Sequence, residues 1–123
     1  MSDFRALLVD DEEELVTALV ERLGYRGVSA DYALSGGEAL VKIRERDYDV
    51  VVLDLKMPGM SGTEVLEAIR IERPDLPVLM ITGHGSPDEE ENDQLPPGAY
   101  DYLPKPIRLE ELLKKMQEAA GKQ

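Results

Sequence analysis

Five side chains in this chain could do chemistry together: Asp10, Asp11, Asp54, Thr82 and Lys105. Each stands at or just past the end of an apolar run. Asp10 and Asp11 follow Arg5-Ala6-Leu7-Leu8-Val9, and Asp54 ends Val50-Val51-Val52-Leu53. Thr82 closes Pro77-Val78-Leu79-Met80-Ile81, and Lys105 comes just past Ala99-Tyr100-Asp101-Tyr102-Leu103, a run expected to end at Pro104. A carboxylate at the exit of a buried run is costly unless its charge is used. Three gathered carboxylates repel one another, and a divalent cation among them relieves the repulsion. Oxygen donors without His or Cys suit Mg2+, which keeps several waters and favours phosphoryl-bearing partners. A hydroxyl and an ammonium beside them complete a set able to hold a phosphoryl group, with one carboxylate as the candidate nucleophile.

Taken singly, these residues have plainer readings. Asp10-Asp11 suits the positive end of a helix, Thr82 a loop, Tyr102 a half-buried core position, and Lys56 and His84 exposed positions. The site depends on elements that bring the five residues to one place. The apolar runs are too short for helices and suit strands buried on both faces. Gly27-Val28-Ser29-Ala30-Asp31-Tyr32 alternates more and suits a strand nearer a sheet edge. Between the runs, apolar residues recur at helical spacing: Leu15, Val16, Leu19, Val20 and Leu23; Ala39, Leu40 and Ile43; Val65, Leu66 and Ile69; Leu109, Leu112, Leu113 and Met116. Gly24 is the expected stop of the first helix. Ser35-Gly36-Gly37-Glu38 and Ser61-Gly62-Thr63-Glu64 are expected capping boxes. Strands alternating with helices predict right-handed crossovers and a parallel sheet covered on both faces. Ligands of such sheets bind outside the carboxyl ends of the strands, where all five side chains would meet.

The 123 residues are expected to form one domain, 1–123, with no linker or repeat. Cysteine is absent, which excludes disulfides and thiolate metal sites. The net charge of −12 argues against direct nucleic-acid binding, and the lack of Trp against base-stacking platforms. No apolar run is long enough to span a membrane, and Met1-Ser2-Asp3-Phe4 does not open a signal peptide, so a cytoplasmic setting is expected.

Four motifs carry a resemblance over roughly Phe4 to Ala120: Leu8-Val9-Asp10-Asp11; Leu53-Asp54-Leu55-Lys56-Met57-Pro58-Gly59-Met60-Ser61-Gly62; Ile81-Thr82-Gly83-His84-Gly85; and Gly98-Ala99-Tyr100-Asp101-Tyr102-Leu103-Pro104-Lys105-Pro106. In this order and spacing they resemble the receiver domain of two-component response regulators. The resemblance implies a flavodoxin-like, doubly wound five-stranded parallel sheet of order 2-1-3-4-5. It implies that Asp54 accepts a phosphoryl group from the phosphohistidine of a sensor histidine kinase or phosphotransfer protein. Asp10, Asp11, Asp54 and the backbone carbonyl of Lys56 would ligate Mg2+. Lys105 would pair with the phosphoryl oxygens, Thr82 would move toward them, and Tyr102 would swing inward. The bond before Pro106 would be cis, and a residue at the position of His84 can modulate access to the phosphoryl group.

The output face of that family is formed by the fourth helix, fifth strand and fifth helix, and it serves an output domain, a target protein or a homodimer. Such a domain catalyses only its own phosphorylation and dephosphorylation and is a signalling domain, not an enzyme acting on external substrates. A phosphorylation-independent interaction module on the same fold is the alternative. An Mg2+-dependent phosphohydrolase ranks below both, because Lys56 stands where its second Asp belongs. A flavin carrier fails on Asp-Asp-Glu-Glu-Glu after the first strand, where a phosphate cradle is required.

The chain departs from the resemblance at residues 87–97, which are more acidic and less apolar than a docked fourth helix. A helix without an apolar stripe has nothing with which to dock, so an atypical acidic fourth helix that is shortened, displaced or disordered is expected. Amide hydrogen exchange should therefore run faster across 87–97 than in the last helix. Equal protection in the two segments would overturn this expectation.

Overall fold

Alternate residues of each inner strand face opposite ways, and the two apolar sets cover two different faces. In the computed structural model, which describes residues 4–57, 59–82 and 98–121, five parallel strands form one sheet of order β2-β1-β3-β4-β5. The strands are β1 (Arg5–Val9), β2 (Ser29–Ala33), β3 (Val50–Asp54), β4 (Val78–Thr82) and β5 (Asp101–Pro104). Helices α1 (Glu13–Tyr25), α2 (Gly36–Glu45) and α3 (Gly62–Glu72) and a C-terminal helix (Leu109–Ala119) flank it. This is the doubly wound, flavodoxin-like topology implied above. The fourth-helix segment 87–97 and His84 lie outside the described residues.

Leu7, Val9, Val51, Leu53, Val78 and Met80 pack against Leu40 and Ile43 of α2 and Leu66 and Ile69 of α3. Ala6, Leu8, Val50, Val52, Leu79 and Ile81 pack against Val16, Leu19 and Leu23 of α1 and Leu112 and Met116 of the C-terminal helix. Strand β3 is buried along its whole length, Asp54 included. The edge strand β2 is mostly half-exposed, in keeping with its weaker apolar pattern.

The first helix does not stop at Gly24. It runs to Tyr25, and Gly27 makes the stop with a φ of +83°. The Val28 N–H donates to the Leu23 carbonyl at 3.0 Å and the Gly27 N–H to the Gly24 carbonyl at 3.0 Å. Those two bonds are a Schellman cap, which needs glycine in the left-handed position and not within the last turn. Because Gly27 belongs to the cap, β2 begins at Ser29 rather than at Gly27. Helix α3 has the full capping box: the Glu64 N–H donates to Ser61 Oγ and the Ser61 N–H to Glu64 Oε1. Helix α2 has half of one. Ser35 Oγ accepts from the Glu38 N–H, but Glu38 Oε1 accepts from the Leu34 N–H, one residue before the cap. Strand β5 starts at Asp101 and takes in Pro104. An edge strand tolerates a residue that cannot donate.

Gly62 has a specific packing reason. A Cβ there would lie 2.6 Å from the Asp54 carbonyl oxygen and 2.7 Å from that of Leu55, both backbone atoms that cannot turn aside. The Gly62 N–H donates to the Leu55 carbonyl at 3.0 Å, so α3 starts pressed against the end of β3. Gly62→Ala gains helix propensity but overpacks this contact. We expect a net loss of about 1–3 kcal/mol in urea unfolding, and an unchanged midpoint would contradict the close approach.

Candidate functional site at the carboxyl ends of the central strands

The sheet order makes β1 and β3 neighbours although two helical crossovers and β2 separate them in sequence. The chain winds one way from β1 to β2 and the other way from β3 onward, so a crevice opens above the β1–β3 junction. Asp10 and Asp11 lie at one lip and Asp54 at the other. Carboxylate oxygens from all three lie within 4.8 Å of one another. Asp10 and Asp54 are buried, at 6% and 4% exposure, whereas Asp11 is exposed.

Backbone bonds fix the two buried carboxylates. The Glu12 N–H donates to Asp10 Oδ1 at 2.9 Å, and the Lys56 N–H to Asp54 Oδ1 at 3.3 Å. The other oxygen of each faces Lys105. Its Nζ lies 3.5 Å from Asp54 Oδ2, 3.7 Å from Asp10 Oδ2 and 3.4 Å from Glu12 Oε1. Lys105 reaches the crevice because its N–H bonds the Thr82 carbonyl at 3.1 Å, extending the β4–β5 ladder one step past Pro104. The Lys105–Pro106 peptide bond is cis.

Thr82 ends β4, and its hydroxyl lies 3.4 Å from the Leu103 carbonyl, toward β5. Tyr102 is half-buried on β5, packed against the core layer that includes Met80 and Leu66. Lys56 is exposed, with its backbone tied to Asp54. Asp10, Asp11, Asp54 and Lys105 are thus brought into one cluster. Thr82 stands at the adjoining strand end, and Tyr102 lies further along, on the edge strand.

Burial decides the charge balance. Asp54 is pushed up to about 6, first by burial and then by repulsion from Asp10, and the attraction of Lys105 offsets only part of this. Asp10 is also raised, again chiefly by burial, with the Glu12 N–H and Lys105 pulling the other way. Burial is the largest single influence on Lys105 too and lowers it, but Asp54, Asp10 and Glu12 together hold it above its ordinary value. Two buried carboxylates and one part-exposed ammonium leave the crevice short of positive charge. The donors are hard oxygens at close spacing, which fits Mg2+ and not a soft metal.

Two features escaped the sequence. Glu12 was legible only as a first-turn acid, yet its carboxylate touches Lys105. The signal was its place next to Asp11, on the same lip of the sheet. Gly62 read as part of a capping box, and its clearance over Asp54 needs coordinates. A cavity of about 560 Å3 lies elsewhere, at the amino end of β3 and the ends of α2 and α3. Its arginines are already engaged, Arg46 with Asp31 and Arg73 with Asp47 and the Ile43 carbonyl. The convergent unbalanced charge is at the crevice.

A family model described as the response regulator receiver domain matches residues 6–117. Response regulator MprA of Mycobacterium sp. strain KMS is 42% identical over 113 residues, 92% of this chain and 49% of that protein. MprA of Mycobacterium avium strain 104 matches to the same extent. The chain therefore spans about half the length of the curated relatives it matches. Among solved structures, a CheY-like receiver domain protein from Methanospirillum hungatei superposes with a TM-score of 0.86 at 32% identity, covering 98% of this chain and 95% of that one. Response regulator TrrA from Thermotoga maritima, solved in complex with Mg2+-BeF, gives 0.82 at 35% identity, covering 94% and 98%. The chain belongs to the response regulator receiver domain family. It is a signalling domain of the two-component type with a CheY-like fold.

The raised Asp54 value carries a stability consequence with a definite sign. Folded protein holds the Asp54 proton up to about pH 6, whereas an ordinary aspartate loses it near 3.8. Stability from this group is thus full below 3.8 and is lost as pH rises through about 6. In metal-free buffer Asp54→Asn should be more stable than the wild type above pH 6, by about 1–3 kcal/mol, with the gain vanishing toward pH 4. Denaturant titrations across that range check it, and a destabilised variant at pH 7.5 would contradict the balance described here.

Proposed function

We propose that this chain is a phosphorylation-activated receiver whose acceptor is Asp54. The observation that carries the reading is the crevice itself: two buried carboxylates and an exposed third around a lysine ammonium, at the switch point of a receiver fold. Asp54 Oδ attacks the phosphorus of a partner kinase's phosphohistidine, the P–N bond breaks, and the imidazole leaves and takes a proton. The product is an acyl phosphate on Asp54. The Lys56 N–H on Oδ1 holds the carboxylate with Oδ2 turned toward the crevice mouth. Lys105 already lies against that oxygen and would pair with the incoming phosphoryl oxygens.

Asp10, Asp11, Asp54 and the Lys56 backbone carbonyl would hold Mg2+, which neutralises the charge gathered on the phosphoryl oxygens. Its presence in the complex of TrrA supports the same ion here.

The switch follows from where Thr82 and Tyr102 stand. A phosphoryl group offers strong acceptors, and the Thr82 hydroxyl would exchange the Leu103 carbonyl for one of them. Tyr102 on the neighbouring strand would then turn inward and fill the vacated space, changing the surface of β5 and the C-terminal helix. That change is the proposed signal. Its recipients are an output domain or target protein, with a homodimer through the same face as a further form. The donor is a sensor histidine kinase or a phosphotransfer protein. Residues 1–123 act as a single receiver unit in the cytoplasm. Among the described residues no helix is long and apolar enough to cross a membrane.

The test is incubation with Mg2+ and acetyl phosphate, read by intact mass. One phosphoryl group is expected on the wild type, with none when Mg2+ is left out and none on Asp54→Asn. If the wild type binds Mg2+ but takes neither phosphoryl nor beryllofluoride, the reading fails and the phosphorylation-independent module replaces it.

A further inference from the structure

Among the described residues, Glu12 is the one carboxylate at Lys105 that the phosphoryl chemistry does not use. It precedes α1 and makes no side-chain cap for that helix. Its backbone holds Asp10 through a 2.9 Å bond, and its side chain turns to Lys105 Nζ at 3.4 Å, the shortest of that group's three carboxylate contacts among the described residues. Asp10 and Asp54 approach the ammonium from the buried side, at 8% and 5% side-chain exposure, whereas Glu12 approaches from solvent at 61%. Any group reaching Asp54 past Lys105 therefore passes a fixed negative charge on the open side.

We propose that Glu12 is an electrostatic gate on the acceptor site, holding back anionic phosphodonors and competing with them for Lys105. The inference rests on the phosphoacceptor reading given above. Two effects act in the same direction. A donor phosphoryl group is an anion, and the Glu12 carboxylate repels it at the mouth. Lys105 must also exchange Glu12 for phosphoryl oxygens before it can neutralise them. The opposite sign holds for a cation: Glu12 adds to the negative potential around Asp10 and Asp11 and favours Mg2+. Glu12 is thus a positioning residue that trades anion access for cation affinity. It would slow phosphorylation by small donors in solution more than transfer from a docked kinase, which presents its phosphohistidine already held in place.

The experiment compares wild type, Glu12→Gln and Glu13→Gln. The glutamine at 12 keeps the shape and the acceptor oxygen and removes only the charge. Glu13 is the neighbouring exposed acid in the first turn of α1 and forms no ion pair with Lys105, so Glu13→Gln makes the same change in net charge away from that ammonium. Acetyl phosphate incorporation is followed by mass at saturating Mg2+, beryllofluoride affinity is measured alongside, and Mg2+ affinity is titrated separately. Glu12→Gln should speed incorporation and tighten beryllofluoride by about two- to fivefold at low salt, with the gain shrinking at high salt as exposed charges are screened. Mg2+ should bind it more weakly. Glu13→Gln should change these values much less.

Equal rates for Glu12→Gln and wild type at low salt would overturn the gate and leave the phosphoacceptor reading standing. Equal gains in both variants would overturn it too, because net charge alone would account for them. A wild type that binds Mg2+ but takes neither phosphoryl nor beryllofluoride would overturn both the reading and the gate.

Discussion

Two carboxylates buried side by side against a single ammonium are the constraint on which the rest of this structure depends. Asp10 and Asp54 are each nearly out of solvent; burial raises both, and the Asp10 charge raises Asp54 further. Lys105 does not cancel them, since Asp54 stays raised despite its presence. Buried, poorly balanced charge is among the costliest features a small domain can carry. The remainder of the fold must supply the stability to hold it, and must hold it to fine tolerance. Perturbed carboxylates in a crevice mark functional sites for this physical reason: a fold selected for stability alone would place apolar residues there.

The tolerance comes from backbone rather than from side-chain packing. Asp10 is tied by the Glu12 N–H and Asp54 by the Lys56 N–H, so each buried carboxylate is held by the turn that follows it. Gly62 brings the start of α3 against the Asp54 and Leu55 carbonyls, which leaves the β3 exit little room to drift. Lys105 is held by the β4–β5 ladder through the Thr82 carbonyl. These constraints are anchored in strands that two apolar layers clamp from both faces. Thr82 and Tyr102, the parts proposed to move, sit instead toward the edge strand β5, where one ladder is missing.

What was legible in the sequence follows the same division. Uninterrupted apolar runs ended by Asp54 and Thr82 marked the strand ends, because a strand buried on both faces tolerates no polar residue until it emerges. The alternation of strands and helices made those ends share one edge. The helix stop at Gly27 was misplaced to Gly24, since both are glycines three residues apart and only the left-handed φ separates a cap from a helical position. Glu38 read as a capping-box partner but bonds Leu34, a choice between adjacent N–H groups that spacing does not resolve. The start of β5 was placed two residues early because Ala99 and Tyr100 are apolar, although the strand begins at Asp101.

Glu12 belongs to a different category of illegibility. Acids in the first turn of a helix are so common, and so well explained by the helix dipole, that only its place next to Asp11 separates Glu12 from Glu13 or Glu14 in the sequence. The separation is geometric. A residue between the end of a strand and the first turn of the following helix still points along the strand end, while the next residues have turned onto the helix surface. Asp10, Asp11 and Glu12 therefore form one lip of the crevice, and Glu13 begins the helix. The position after a paired-aspartate strand end is thus part of the site by backbone path, whatever residue occupies it. A carboxylate there adds to the potential that draws a cation in and subtracts from the attraction felt by an anion. Those opposite effects act on the two groups, cation and phosphoryl anion, that the proposed function brings to the crevice.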